Sequence, residues 1–162
     1  KEGHGAVQGN AACSACAFYG CRSLESIVIP ASVTTIGDRA FYDCRNLSNI
    51  DIPEGIQSIG ETVFENTAYY NDPNNWADGN LIIDGCLVKL AEDTTYYELE
   101  GINCISADAL KGCYNLRQLV IGRSCAEGLR YLSNLETLII TEMPDRIVGY
   151  FGRYGRCGQQ GT

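Results

Sequence analysis

Nine cysteines and a single histidine, His4, are the residues of this 162-residue chain with the most distinctive chemistry. Cys13 and Cys16 form a C-x-x-C pair, a spacing that suits half of a zinc site or a redox dithiol. A zinc site needs two further ligands at suitable spacing, and the chain holds no second C-x-x-C. Ser14 to Phe18 also leads into the next strand segment as Asp38 to Phe41 does, so a truncated structural repeat, a disulfide and a metal all stay open for this pair. Hydrolase triads and metal centres usually call on histidine, and His4 sits in a Gly-rich polar leader, Lys1 to Asn10, that is expected to fray. Asp72, Asn74, Asn75 and Asp78 offer oxygen ligands, but their spacing does not match a calcium loop with its distant glutamate. The expectation is a protein that is not an enzyme and that uses no cofactor and no metal.

Other cysteines point to architecture instead. Cys21 and Cys44 stand 23 residues apart, and so do Phe18 and Phe41, Leu24 and Leu47, Ile27 and Ile50, Pro30 and Pro53, and Gly37 and Gly60. FYGCRSLESIVIPASVTTIGDRA is followed directly by FYDCRNLSNIDIPEGIQSIGETV, with ten of the 23 paired positions identical. A fixed period of this length marks an array. Cys113 falls three after Leu110, the same position as Cys21 and Cys44 after their phenylalanines, and Cys125 falls four after Ile121 as Val33 does after Ile29. Cys21, Cys44, Cys113 and Cys125 are therefore read as structural, small buried apolar residues. A cysteine nucleophile would want a neighbouring base or a positive environment, not an interior position.

Each copy must supply elements that hold these positions. Leu24, Ile27 and Ile29 follow L-x-x-I-x-I, which puts Ile27 and Ile29 on one face of a strand. Pro30 and Pro53 end that strand, because proline lacks the N–H that would continue the ladder. Gly37-Asp38 and Gly60-Glu61 suggest a short helical turn with an acid at its positive end. One copy cannot bury its own apolar face, so neighbours must stack as parallel strands about 4.8 Å apart.

A net charge of −8 argues against nucleic acid and anionic membranes as partners. No apolar run approaches the roughly 18 residues that span a bilayer. The first residue is Lys1 and the only methionine is Met143, so the expectation is a processed chain or fragment whose signal or anchor lies outside it.

Farther along, the pattern breaks. Phe64 keeps the 23-residue register, but Thr67 replaces the cysteine and AYYNDPNNWADGN comes next, then LIIDGCLVKL. Asp84-Gly85 between apolar runs is a two-residue hairpin signal. Tyr69, Tyr70 and Trp76 either offer exposed rings to a sugar or cover the flank of the array. The repeat resumes around Tyr97, with Leu99 lying 11 before Leu110 where the parent spacing is 12, and a shorter coil succeeds it, Leu116 to Leu135 and Leu119 to Leu138 both being 19 apart. The domain expectation is a single 1–162 unit: first coils at 13–67, an insertion with a hairpin at 68–96, later coils at 97–141, and at 142–162 an irregular tail or a further coil that would use Ile147, Val148, Tyr150 and Phe151. Asn46-Leu47-Ser48 matches a glycosylation acceptor, but Leu47 belongs inside the strand core.

The frame A-F-x-x-C-x-x-L-x-x-I-x-I-P followed by V-x-x-I-G, seen from Ala17 to Gly37 and again from Ala40 to Gly60, resembles the BspA-like or Treponema-type leucine-rich repeat. That resemblance covers about Ser14 to Thr141. It implies a right-handed β-rich solenoid with a parallel sheet on one face, short helical turns and an interrupting hairpin. It also implies a secreted or surface-attached protein, mostly of host-associated bacteria, used for adhesion, with no catalytic residues to carry over. The outward strand positions are then the candidate ligand-binding residues: Glu25, Ser26, Val28, Ser48, Asn49, Asp51, Arg117, Gln118, Val120, Glu136, Thr137 and Ile139. The partner would be a protein or glycan at a host or microbial surface, held by a monomer at an extracellular or cell-surface location. A structural spacer and an accessory domain of a larger cell-wall or polysaccharide enzyme are the alternatives.

Overall fold

The computed structural model of the protein describes residues 11–121 and 129–141. Cys125, Cys157, His4 with its leader, and the tail with Ile147, Val148, Tyr150 and Phe151 lie outside the described residues. The chain divides into two compact units, one closing at Asn71 and the other opening at Asp72. Both are β-solenoid in character, with short parallel strands and little helix. Among the described residues no helix is long and apolar enough to cross a membrane.

The first unit carries strands β1 (Ala11–Cys13), β2 (Ser26–Val28), β3 (Val33–Ile36), β4 (Asn49–Asp51) and β5 (Ser58–Ile59), then the short helix α1 (Ala68–Asn71). β2 pairs in parallel with β4, matching Ser26 to Asn49, Ile27 to Ile50 and Val28 to Asp51. β3 lies between β1 and β5, also in parallel, with Ile36 opposite Ile59. The 23-residue period thus appears as direct register between successive coils. Phe41 stacks between Phe18 and Phe64, ring centroids 5.2 and 5.7 Å apart and planes within 4°. Tyr19 stacks on Tyr42 in the same way at 5.3 Å. Ile36, Leu47, Ile59, Phe41 and Phe64 are almost wholly buried between these layers.

Where a short helical turn was expected, the backbone makes a string of three-residue hydrogen-bonded turns: Ala40 N–H to the Gly37 carbonyl, Tyr42 to Arg39 and Cys44 to Phe41. Alternate N–H groups reach the next coil instead, Arg39 to Glu61, Phe41 to Val63 and Asp43 to Glu65. Arg39 and Asp43 adopt positive φ of 55° and 60° to turn their amides outward. The acid after the glycine serves the neighbouring coil, Asp38 Oδ1 accepting the Glu61 N–H at 2.9 Å. Gly37 and Gly60 are glycine for lack of space: a Cβ at Gly37 would lie 2.5 Å from the Ala15 nitrogen, and one at Gly60 2.5 Å from the Asp38 nitrogen.

Thr67 explains how the regular coils stop. Its hydroxyl donates to the Phe64 carbonyl at 2.8 Å and accepts the Tyr70 N–H at 3.0 Å, a cap that a thiol would make poorly. Helix α1 starts there, and Tyr69 N–H returns to the Leu47 carbonyl.

The second unit holds β6 (Trp76–Ala77), β7 (Asn80–Ile83), β8 (Cys86–Lys89), β9 (Tyr96–Glu98), β10 (Cys104–Ile105), β11 (Gln118–Ile121) and β12 (Thr137–Ile140). β7 and β8 form the expected antiparallel hairpin, with Asp84 and Gly85 at φ 46° and 76°, both positive as a type I′ turn demands. A second hairpin precedes it: β6 pairs antiparallel with β7 across Asp78 and Gly79, also at positive φ. The unread signal was the Asp78-Gly79 dipeptide. β8 then pairs in parallel with β10, so the inserted hairpin supplies a rung of the solenoid. β9, β11 and β12 make a separate three-stranded parallel sheet. Its registers, Gln118 to Tyr96 and to Thr137, confirm spacings of 22 and 19 residues. Leu87, Leu110, Leu116 and Leu119 are fully buried beneath.

Candidate functional site

Strand alternation decides which side chains the ladders present. In the first unit Ile27 and Ile50 turn inward, and Ser26, Asn49, Val28 and Asp51 are exposed in two rows. Glu25 and Ser48, one residue before each strand, are exposed beside them. The Glu25 carbonyl accepts both the Ser48 and Asn49 N–H groups, at 3.0 and 3.3 Å, which fixes how the chain enters β4. The six candidates of this unit are therefore held together on one ladder.

The second unit repeats the arrangement with different chemistry. Its two outward rows are Tyr96, Gln118 and Thr137, then Glu98, Val120 and Ile139. The Arg117 carbonyl accepts from Glu136 and Thr137, at 2.8 and 2.9 Å, as Glu25 does in the first unit. Arg117 is further anchored by donating to the Tyr114 carbonyl at 2.8 Å and pairing with Glu136 at 3.5 Å. Val120 departs from expectation: it is buried, because Glu98 and Ile139 flank it in register on either side. Gln118 is half-buried for the same reason, and Ile139 remains exposed on β12.

Tyr96 and Glu98 were missed among the candidate residues. Tyr96 is exposed and donates its hydroxyl to Glu98 Oε2 at 2.9 Å. That hydrogen bond, with some burial and the carboxylate charge, raises the phenol above its ordinary range. The available signal was Tyr97-x-Leu99, which places one residue on either side of Tyr97 outward just as Ile27-x-Ile29 does.

Of the structural cysteines, Cys44 and Cys113 are buried, and burial raises both thiols. Cys44 donates to the Phe18 carbonyl at 3.0 Å, and Cys113 to the Leu90 and Ala91 carbonyls at 3.7 Å. Cys21 is exposed, contrary to expectation, since among the described residues the stack continues from it only on the Cys44 side. Cys16 is also exposed and Cys13 half-buried. Tyr69, Tyr70 and Trp76 are half-buried rather than laid open, and Asp72 caps its own turn by accepting from the Asn74 backbone and side chain.

A model of the BspA-type leucine-rich repeat region matches residues 12–132 in six copies. The chain belongs to the BspA-type leucine-rich repeat family. No curated protein matches it significantly. Two solved structures are similar to this BspA-type chain. One, a leucine-rich repeat protein of T. pallidum, is 22% identical over 82% of this chain and 65% of its own, with a TM-score of 0.38. The other, a leucine-rich cell surface protein of Faecalibacterium prausnitzii, is 18% identical over 81% of this chain and 46% of its own, with a TM-score of 0.35. The BspA-type repeat accounts for the inward positions, and the outward rows are what distinguish one coil of this chain from the next.

Proposed function

We propose that this chain is a non-catalytic binding module of a secreted or cell-surface protein, one that holds a protein or glycan on its exposed strand faces. One observation carries the reading: in-register outward positions change from rung to rung while the inward ones stay apolar. Ser26 stands beside Asn49 and Val28 beside Asp51, over Ile27 and Ile50. Such a surface varies its chemistry without disturbing the stack beneath it. Glu25, Ser26, Ser48, Asn49 and Asp51 form the polar face of the first unit. Arg117, Gln118, Glu136 and Thr137 do so in the second, where Tyr96 and Ile139 add exposed apolar area of the kind enriched in protein contacts. The BspA-type family supports the surface location. A protein module that works alone as a monomer, without nucleic acid, fits the acidic charge.

The test is a screen of the purified chain against a glycan array and a panel of extracellular matrix proteins. Alanine at Asn49, Asp51, Arg117 and Gln118 together is expected to weaken the detected interaction at least tenfold while the thermal unfolding curve stays in place. If every detected interaction survives that change, the strand faces are not the site. A chain that binds nothing in either screen and only spaces its neighbours along a longer polypeptide would support a scaffold role.

A further inference from the structure

Cys86 and Cys104 are direct partners across the parallel pair of β8 and β10. The pairing is held on both sides, Asn103 N–H to the Gly85 carbonyl at 2.8 Å and Ser106 N–H to the Leu87 carbonyl at 2.9 Å. In-register residues of a parallel pair point to the same face of the sheet, and Leu87 and Ile105, the next pair, enter the main core. The two cysteines are buried yet stand outside that core cluster. Cys44 and Cys113 spend their thiol hydrogens on backbone carbonyls of the preceding coil. The Cys104 thiol is directed at the Ile105 carbonyl, 3.8 Å away, and the neighbouring Cys104 side chain draws Cys86 below the ordinary thiol range against the opposing effects of burial and Asp84.

We infer that Cys86 and Cys104 are a cross-link site, closing to a disulfide that ties the inserted hairpin to the following coil when the protein meets a small-molecule disulfide oxidant. Strands about 4.8 Å apart lie within the roughly 4.4–6.8 Å window of Cα separation that a disulfide accepts, and slightly beyond the roughly 3.5–4.5 Å window for Cβ. Closing the bond draws together the two-residue strand β10 and the start of β8 next to the Asp84-Gly85 turn. Both can shift more easily than the centre of a long ladder. A bond closed against such geometry is more readily reduced than a relaxed one, so it reports the redox state around it.

The exchange balances in two steps. Local opening of the short β8–β10 pair exposes Cys86, whose thiolate attacks one sulfur of the oxidant, forming a mixed disulfide and releasing one thiol. The Cys104 thiolate then attacks the Cys86 sulfur, the protein disulfide forms, and the second oxidant thiol leaves. The protein gives up two protons and two electrons, and one disulfide of the oxidant becomes two thiols.

Trypsin gives a clean readout, because Cys86 is the only cysteine in the peptide 46–89 and Cys104 the only one in 90–111. The chain is equilibrated with glutathione disulfide or with dithiothreitol, quenched by alkylation in denaturant, digested and weighed. The oxidised sample should yield 46–89 joined to 90–111, two hydrogens lighter than the sum and without alkylation, and the reduced sample both peptides apart and alkylated. Recovery of both as separate peptides after oxidation, or a link from either to a different cysteine peptide, overturns the inference. The oxidised chain should also melt higher than the reduced one, by up to about 10 °C. That difference should vanish in Cys104→Ala, and its persistence there would assign it to another bond.

Discussion

Val28 and Val120 hold the same position of the repeat, the one between Ile27 and Ile29 and the other between Leu119 and Ile121, yet Val28 is 69% exposed and Val120 8%. Val28 lies on a two-stranded ladder with Asp51 as its one described partner. Val120 lies on the central strand of three, between Glu98 and Ile139. Position in the repeat therefore sets the direction of a side chain, and the neighbours on adjacent rungs set how much of it water reaches. The same contrast runs through coil length. The first unit keeps 23 residues per coil and stacks every layer, down to its phenylalanine and tyrosine ladders. In the second unit the spacing falls to 22 and then 19, while β9, β11 and β12 pair without a shift. The strands keep their register although the coils that join them differ in length.

Breaking the stacked layer tests the regular half of this comparison most severely. Phe41→Ala removes a ring packed between two others and should cost about 3–5 kcal/mol, read from urea unfolding. A loss under about 1 kcal/mol would mean that the ladder is incidental to stability. Next comes backbone approach. Gly60→Ala drives a Cβ into the Asp38 backbone and should cost about 2–3 kcal/mol. Gly101→Ala meets no atom within 4 Å and is opposed only by φ of 70°, so about 1 kcal/mol is expected. Equal losses at the two glycines would show that conformation, not space, selects both.

The array, its period and the shortened coils were legible because identical residues recur at fixed distance and an inward isoleucine cannot change without leaving a void. The hairpin at Asp84-Gly85 was legible because two positive φ values leave few residue choices. Turn conformation was not: Arg39 and Asp43 carry positive φ without a glycine to mark it, since hydrogen bonds to the next coil enforce that geometry. Burial at the outward positions was equally hidden. Val120 and Cys21 are decided by how many rungs lie beside them, and no local pattern encodes that. Tyr96 escaped notice because its strand comes after an insertion that obscures the register.

A charge cluster in the regular unit offers a pH test. Asp43 accepts from Arg45 Nε at 2.6 Å and from Arg22 at 2.9 Å, and these hydrogen bonds hold its carboxyl below the usual range. Arg22 and Arg45 occupy one repeat position, so a single acid ties two coils. A depressed carboxyl stabilises the fold above its unfolded value, near pH 3.9, and that contribution fades as pH falls through the lower folded value. Wild type should therefore exceed Asp43→Asn in stability at pH 7, with the gap narrowing below about pH 4. A gap that stays constant down to about pH 2 would assign the effect to shape instead of charge.

The smallest effect returns to the two valines. Val120→Ala should cost about 1–2 kcal/mol, because its methyl groups are already out of water between Glu98 and Ile139. Val28→Ala should change stability by less than about 0.5 kcal/mol, since most of that side chain is hydrated in the folded state. The pair sharpens the functional question as well. A variant at Val28 that leaves folding untouched but weakens a bound partner reports contact with that partner. At Val120 a loss of binding must first be corrected for lost stability. Matched urea titrations of the two variants settle which outward positions are free to serve recognition; equal costs would show that the rungs beside a residue do not govern its burial in solution.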